Sequence, residues 1–167
     1  KNLGTVLVFH DASEQRRLSD EMTYRATHDS LTGLVNRAEL EICLQGALSR
    51  SHAQEREHAL LYIDLDRFKL VNDACGHAAG DRLLKRVASL MGSVIRTHDT
   101  LARTGGDEFA AILEDCPHEQ ARQVAQGICD RLDDFRFVHD GQRFRIGASV
   151  GLVTIDRRWS SIEAVMQ

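Results

Sequence analysis

Proline and aromatic residues are scarce: one proline, one tryptophan, two tyrosines and six phenylalanines stand in 167 residues. The few aromatics are not interleaved with basic residues, so the chain lacks the stacking-plus-charge pattern with which proteins hold nucleic acid strands, and no nucleic acid polymer is expected as a partner. Basic residues are themselves outnumbered, 21 against 25 acids, for a net charge of -4. That balance excludes a general polyanion binder of the basic type while leaving room for a local phosphate site. No apolar run approaches the ~18 residues a membrane span needs. The first apolar run, Val6 to Phe9, is far too short for a secretory segment. Cys43, Cys75, Cys116 and Cys129 are scattered with no CxxC pair, which predicts reduced structural thiols and a cytoplasmic setting. Membrane contact is not indicated in this stretch; anchoring of a longer parent stays open. Walker and GxGxxG phosphate loops are missing too, so any nucleotide must be held another way.

What is present suits one domain with a short extension. Hydrophobic residues make up 43% of the chain and charged residues 28%, enough for a core and against disorder. Lys1 stands where an initiator Met would be, so the chain reads as a piece of a longer protein. Gly4 to His10 is predicted as a strand. A polar helix capped by Asp11 or Ser13 follows to about residue 28, with a thin apolar stripe of Leu18, Met22 and Ala26 that suits pairing with a second copy. After a break at Asp29 to Gly33, a helix is predicted from Asn36 to about Ser51, then the strand Ala59 to Ile63 ending on Asp64. Helices are expected at about Arg67 to Ala74 and Asp81 to Ile95, the second carrying Leu83, Leu84, Val87, Leu90 and Met91 at helical spacing. Strands at Thr100 to Thr104 and Glu108 to Leu113 flank Gly105-Gly106, a hairpin signal. Pro117 marks a helix start running to Asp134. A second hairpin is predicted from Phe135 to His139 and Arg143 to Ile155 about Asp140-Gly141, and a last helix from Ser160 or Ser161. The order predicts an α+β fold, a central, mostly antiparallel sheet flanked by helices.

Two clusters carry chemistry. Asp64-Leu65-Asp66 puts two carboxylates at i and i+2 on one side of a strand end, where hard cations find oxygen ligands. An EF-hand is excluded, because its glycine and glutamate positions are held by Lys69 and Cys75. Gly105-Gly106-Asp107-Glu108-Phe109 puts adjacent acids on a turn with no side chains to block a ligand. Either cluster alone reads better as solvated surface. Together they can converge on a metal-assisted phosphoryl-transfer site.

In order along the chain stand DSLTGLVNR (Asp29 to Arg37), DLDRFKLVND (Asp64 to Asp73), GHAAGD (Gly76 to Asp81), RTGGDEF (Arg103 to Phe109) and ASVGL (Ala148 to Leu152). With these motifs the chain resembles the GGDEF family of diguanylate cyclases from about Thr27 to Met166. The resemblance implies a nucleotidyl cyclase or polymerase-palm fold with a ferredoxin-like core. It implies condensation of two GTP into cyclic di-GMP with release of pyrophosphate, by a dimer using Mg2+, with Mn2+ as a substitute. Asp64, Asp107 and Glu108 would be catalytic, and Asp64, Asp107, Glu108 and the Leu65 carbonyl would ligate metal. Lys69 and Phe68 would line the substrate site, Asn72 and Asp81 would read guanine, and Gly105 and Gly106 would admit the nucleotide. Arg96 and Asp99 match the RxxD pattern of an inhibitory product site. Residues 1–10 resemble the last strand of a PAS-like sensor, 11–28 a signalling linker helix that would form the homodimer, and 29–167 a GGDEF domain. Family members continue with a helix and basic segment, so a truncated C-terminus is expected. The rival readings are a silent GTP- or cyclic di-GMP-binding module controlling a domain such as an EAL phosphodiesterase, a DxD glycosyltransferase, and a dimerisation piece.

Overall fold

The computed structural model describes residues 4–8 and 11–167. Helix α1 (Ala12–Thr27) leads to α2 (Arg37–Gln54), β1 (His58–Asp66), α3 (Phe68–Cys75), α4 (His77–Gly92), β2 (Thr100–Gly105), β3 (Glu108–Leu113), α5 (His118–Asp134), β4 (Arg136–His139), β5 (Gln142–Arg145), β6 (Gly147–Ile155) and α6 (Ile162–Met166). The main sheet runs β2-β3-β1-β6, antiparallel throughout. With helices crossing from β1 to β2 and from β3 to β6, this is the β-α-β-β-α-β order of a ferredoxin-like core, and the expected α+β class holds.

The central strand β1 is apolar without alternation because both its faces are covered. Ala59, Leu61, Ile63 and Leu65 point to one side and pack with Leu83, Leu84 and Val87 of α4 and Ile128 and Leu132 of α5. Leu60 points to the other and joins Ala110 and Ile112 of β3 against Leu40, Leu44 and Leu48 of α2 and Val165 of α6. Asp64 and Asp66 continue this second face past the end of the core and stand exposed. Asn36 caps α2 by accepting the Glu39 N–H at 3.0 Å, and Ser161 caps α6 in the same way from Ala164.

Three expectations need correction. Residues 4–8 form no strand, and Val6, Leu7 and Val8 are exposed; the rest of that predicted strand, Phe9 and His10, lies outside the described residues. A lone strand has no ladder to join, and no described strand lies beside it. The predicted strand Arg143 to Ile155 is two: β5 pairs only with β4, while β6 turns at Ile146 into the main sheet beside β1. Pro117 does mark the start of α5, as its N-cap with ψ 157°. Helix α4 begins at His77, four residues before the predicted start, so Asp81 lies inside it and caps nothing.

Candidate active site

The antiparallel ladder sets the acidic clusters against each other. Asp64 of β1 is the direct partner of Glu108 of β3 on one side and Ser149 of β6 on the other. Direct partners in such a ladder hold their Cβ atoms about 5 Å apart on one face. The turn bearing Asp107 is clasped to the same strand end, the Leu65 N–H donating to the Asp107 carbonyl at 3.2 Å. Gly105 (φ +154°) and Gly106 (φ +48°) make this turn, and a Cβ on either would meet nothing within 4 Å. The glycines are thus demanded by backbone conformation, and they leave open space above the acids. Asp66, the other half of DxD, is engaged apart from this pair: Ser149 Oγ donates to it at 2.9 Å. Beside the acids lies a cleft of roughly 520 Å3, bounded by Arg37, Tyr62, Asp64, Thr104, Glu108 and Met166 among others.

Immediately after Asp66 the backbone turns sharply, with Arg67 in the left-handed region at φ 67°. Helix α3 starts there with no side-chain cap, so its positive end follows directly on DxD. Phe68 and Lys69 occupy its first turn, and Lys69 is exposed. Asn72 and Gly80 bring α3 and α4 together. The Asn72 Oδ1 atom is buried with no hydrogen-bond partner. It lies so close to Gly80 that a Cβ there would sit 1.8 Å from it and 2.9 Å from Asn72 Cγ, with Phe68 Cζ at 3.3 Å. Asp81 follows on α4, exposed. Phe68, Asn72, Gly80 and Asp81 therefore share the α3–α4 junction, while Asp64, Asp107 and Glu108 share the strand end.

Residues 26–167 match the family described as diguanylate cyclase, GGDEF domain. The chain belongs to the GGDEF family. This GGDEF chain is 48% identical over 155 residues to the probable diguanylate cyclase DgcE of Escherichia coli, an alignment covering 93% of the chain and 14% of that protein. It is 36% identical over 151 residues to the cyclic di-GMP phosphodiesterase PdeB of Shewanella oneidensis, covering 90% of the chain and 17% of that protein. Among solved structures, the coiled coil and GGDEF domain of DgcB from Caulobacter crescentus in complex with c-di-GMP superposes with a TM-score of 0.85 at 26% identity, covering 93% of this chain and 83% of that one. The chain thus spans less than a fifth of the length of these two curated relatives.

In this GGDEF chain the RxxD pair is closed upon itself. Arg96 Nε and Nη2 donate to Asp99 at 3.0 and 3.2 Å, and Asp99 also accepts the Glu114 N–H at 2.9 Å. Arg96 Nη2 further donates to the Glu114 carbonyl at 2.6 Å. Asp99 is 2% exposed against 42% for Arg96, so the arginine alone presents itself to solvent.

Three working residues escaped the sequence reading. Gly80 stands within a quoted motif, but its contact with Asn72 belongs to the packing of two helices. Arg37 reaches the cleft from the first turn of α2, and its ion pair with Glu41 at 3.2 Å gave no hint of that. Asp29 opens the first motif and accepts Thr32 N–H and Oγ1–H at 2.9 and 2.7 Å. It also pairs with Arg103 at 3.0 Å, whose Nε donates to the Gly106 carbonyl at 2.9 Å. Partial burial opposes its ionised form, but the bonds from Thr32 and Arg103 prevail and hold the carboxyl below its ordinary 3.8. The segment after α1 is thereby tied to the turn that carries Asp107.

Proposed function

We propose that this domain is a diguanylate cyclase that joins two GTP into cyclic di-GMP and releases pyrophosphate. The observation that carries the reading is the Asp64–Glu108 cross-strand pair with the Asp107 turn clasped to it. Like charges directly opposite are destabilising in a ladder unless a cation lies between them. Among the described residues no group of three or more His, Cys, Asp or Glu side chains could enclose an ion. Magnesium that arrives with nucleotide asks only one or two protein carboxylates, the rest of its shell being phosphate oxygen and water, so this donor set fits. Shared between two such ions, Asp64, Asp107, Glu108 and the Leu65 carbonyl would hold Mg2+, or Mn2+ in its place. The bound ion supplies charge stabilisation at the reacting phosphate.

The chain's own residues do the rest. Glu108, beside the attacking 3′-hydroxyl, accepts its proton or shares in metal binding. The uncapped start of α3, with Lys69 and Phe68 in its first turn, receives the triphosphate. Asn72 and Asp81 read guanine at the α3–α4 junction, and Gly105 and Gly106 leave room for the nucleotide. Each domain holds one GTP, so two must face each other. The stripe of Leu18, Met22 and Ala26 on α1 is exposed along the helix, with Leu18 47% and Met22 72% accessible, as an unpaired coiled-coil seam requires. Arg96 and Asp99 form the inhibitory product site, Arg96 opening from Asp99 to take phosphate or guanine.

No described helix is long and apolar enough to cross a membrane. The likeness to PdeB supports a second reading, a GTP-binding regulatory module. One experiment separates the two: incubate the domain with GTP and Mg2+, and follow cyclic di-GMP and pyrophosphate by chromatography. Turnover lost in Asp107→Ala establishes the cyclase. GTP binding without product from an assembled dimer overturns it in favour of the module.

A further inference from the structure

Between α4 and the β4–β5 hairpin lies a groove of roughly 340 Å3. Arg82, Lys85 and Arg86 line it from α4, and Phe135, Arg136 and Phe137 from the chain entering the hairpin. Positions 82, 85 and 86 stand at i, i+3 and i+4, so one helix face delivers three cations together. None of these six residues lines the cleft beside Asp64 and Glu108.

The way the cations are held is what distinguishes the groove from an ordinary charged surface. Arg86 Cζ sits 5.6 Å from the centre of the Phe135 ring, and Arg82 Cζ 6.0 Å from that of Phe137. Arg82 Nη2 also donates to His139 Nδ1. The imidazole is then the neutral tautomer that donates from Nε2 to Asp140, 3.2 Å away. Arg136 Nη1 donates to the backbone carbonyl of Phe135 at 3.0 Å and to that of Asp133. Among the described residues none of Arg82, Lys85, Arg86 and Arg136 has a carboxylate partner. The nearby acid Asp133 is taken by Arg145 at 2.7 Å.

Every cation with a partner here is therefore positioned by a neutral one, and the groove keeps its full charge in a chain whose net charge is -4. A guanidinium over a ring spends its flat face on that contact and keeps its edge N–H groups for another ligand. Planar forks beside a flexible ammonium are the donor set that recognises phosphate oxygens. The groove is concave and small, which suits one compact polyanion in preference to a membrane surface or a helix.

We propose that the α4–hairpin groove is a second phosphate site that binds a soluble di- or triphosphate group, independently of the Asp64–Glu108 cleft. The test is calorimetric titration of inorganic pyrophosphate into the 167-residue chain without divalent cation, with backbone amide NMR shifts to place the contact. Expected are shifts on α4 and the hairpin, binding that weakens as salt is raised, and a loss of about tenfold or more in Lys85→Gln/Arg86→Gln, since a hydrogen bond to a charged group carries at least that factor. Glutamine keeps the stems in place, both positions are exposed, and GTP turnover in that variant stays at the parent rate. Asp64→Ala leaves pyrophosphate binding in the groove unchanged. Absence of binding, binding indifferent to Lys85→Gln/Arg86→Gln, or shifts confined to residues around Asp64 and Glu108 overturns the proposal. Capture by vesicles containing phosphatidylglycerol, without pyrophosphate binding, overturns it as well.

Discussion

Gly80→Ala is the sharpest perturbation the site offers, because two opposed effects of one methyl group can be separated. Gly80 lies inside α4, where replacing glycine by alanine ordinarily stabilises a helix by about 1 kcal/mol. Here the added Cβ would stand 1.8 Å from Asn72 Oδ1, where contact requires more than 3 Å. The oxygen must retreat by more than an ångström, and the new methyl would also stand 3.3 Å from Phe68 Cζ. Overpacking of this kind costs about 1–3 kcal/mol, enough to cancel or reverse the helical gain. Displacing a positioning group by an ångström costs on the order of a hundredfold in rate, so GTP utilisation should fall further than stability does. The assay is a cycle: urea melts and GTP kinetics for the parent, Gly80→Ala, Asn72→Ala and the pair together. With Asn72 truncated the clash is gone, and the same methyl should now stabilise by its helical ~1 kcal/mol. Inosine triphosphate, which lacks the exocyclic amine of guanine, gives the specificity readout: the parent should prefer GTP, and Gly80→Ala should lose that preference as Asn72→Ala does. A Gly80→Ala that stabilises equally in both backgrounds and keeps the preference for GTP would refute the reasoning.

Other outcomes follow from the same geometry. Glu108→Gln removes one member of the cross-strand carboxylate pair and should abolish metal-dependent turnover while melting no lower than the parent, since a like-charge opposition is relieved; chromatography and a thermal melt check both. Arg96→Ala should relieve product inhibition in progress curves, but it also removes the clamp onto Glu114 and should lower the melting temperature, which Arg96→Lys partly restores. Asp29→Asn should destabilise the domain at neutral pH and begin to lose its difference from the parent only below about pH 4: the folded carboxyl is held below its ordinary 3.8, so its contribution is complete above that value and disappears as pH falls through the lower, folded one. Urea midpoints across that range decide it. His58 is 1% exposed, and its Nδ1 accepts the Asp115 N–H at 2.9 Å, so it cannot also donate to Glu114. Burial holds it neutral and below its ordinary 6.5, against the pull of Glu114 and Asp115, so stability should fall as pH drops below about 6.5, and His58→Gln should flatten that slope.

How much of this could be read from the sequence follows the reach of each interaction. The glycine pair at 105 and 106, the apolar run into Asp64 and the helical spacing from Leu83 to Met91 are local signals, and each produced its element. The boundary at Ile146 was invisible because no loop separates β5 from β6, a single residue standing between them; what divides them is the choice of partner, β4 for one and β1 for the other. Residues 4–8 of the expected N-terminal strand show the converse, since β propensity without a neighbouring strand builds no ladder.

The candidate site divides along the same line. Its carboxylates were legible because DxD and GGDE are short and chemically loud, and family motifs place them in order. Their convergence was only a conjecture until the register set Asp64 opposite Glu108, 44 positions later. What escaped are residues whose work is done by contact across the fold. Arg103 meets Asp29 at a separation of 74 residues, and neither residue type announces the other. That bridge matters mechanically. Helix α1 ends at Thr27, the Asn36 side-chain amide donates to the Ala26 carbonyl at 2.9 Å, and Asp29 grips Arg103, which holds Gly106. A rotation of α1 imposed by a partner helix therefore has a hydrogen-bonded route to the turn that carries Asp107. If the stripe on α1 pairs two copies, the register of that pairing bears on the turn that carries Asp107.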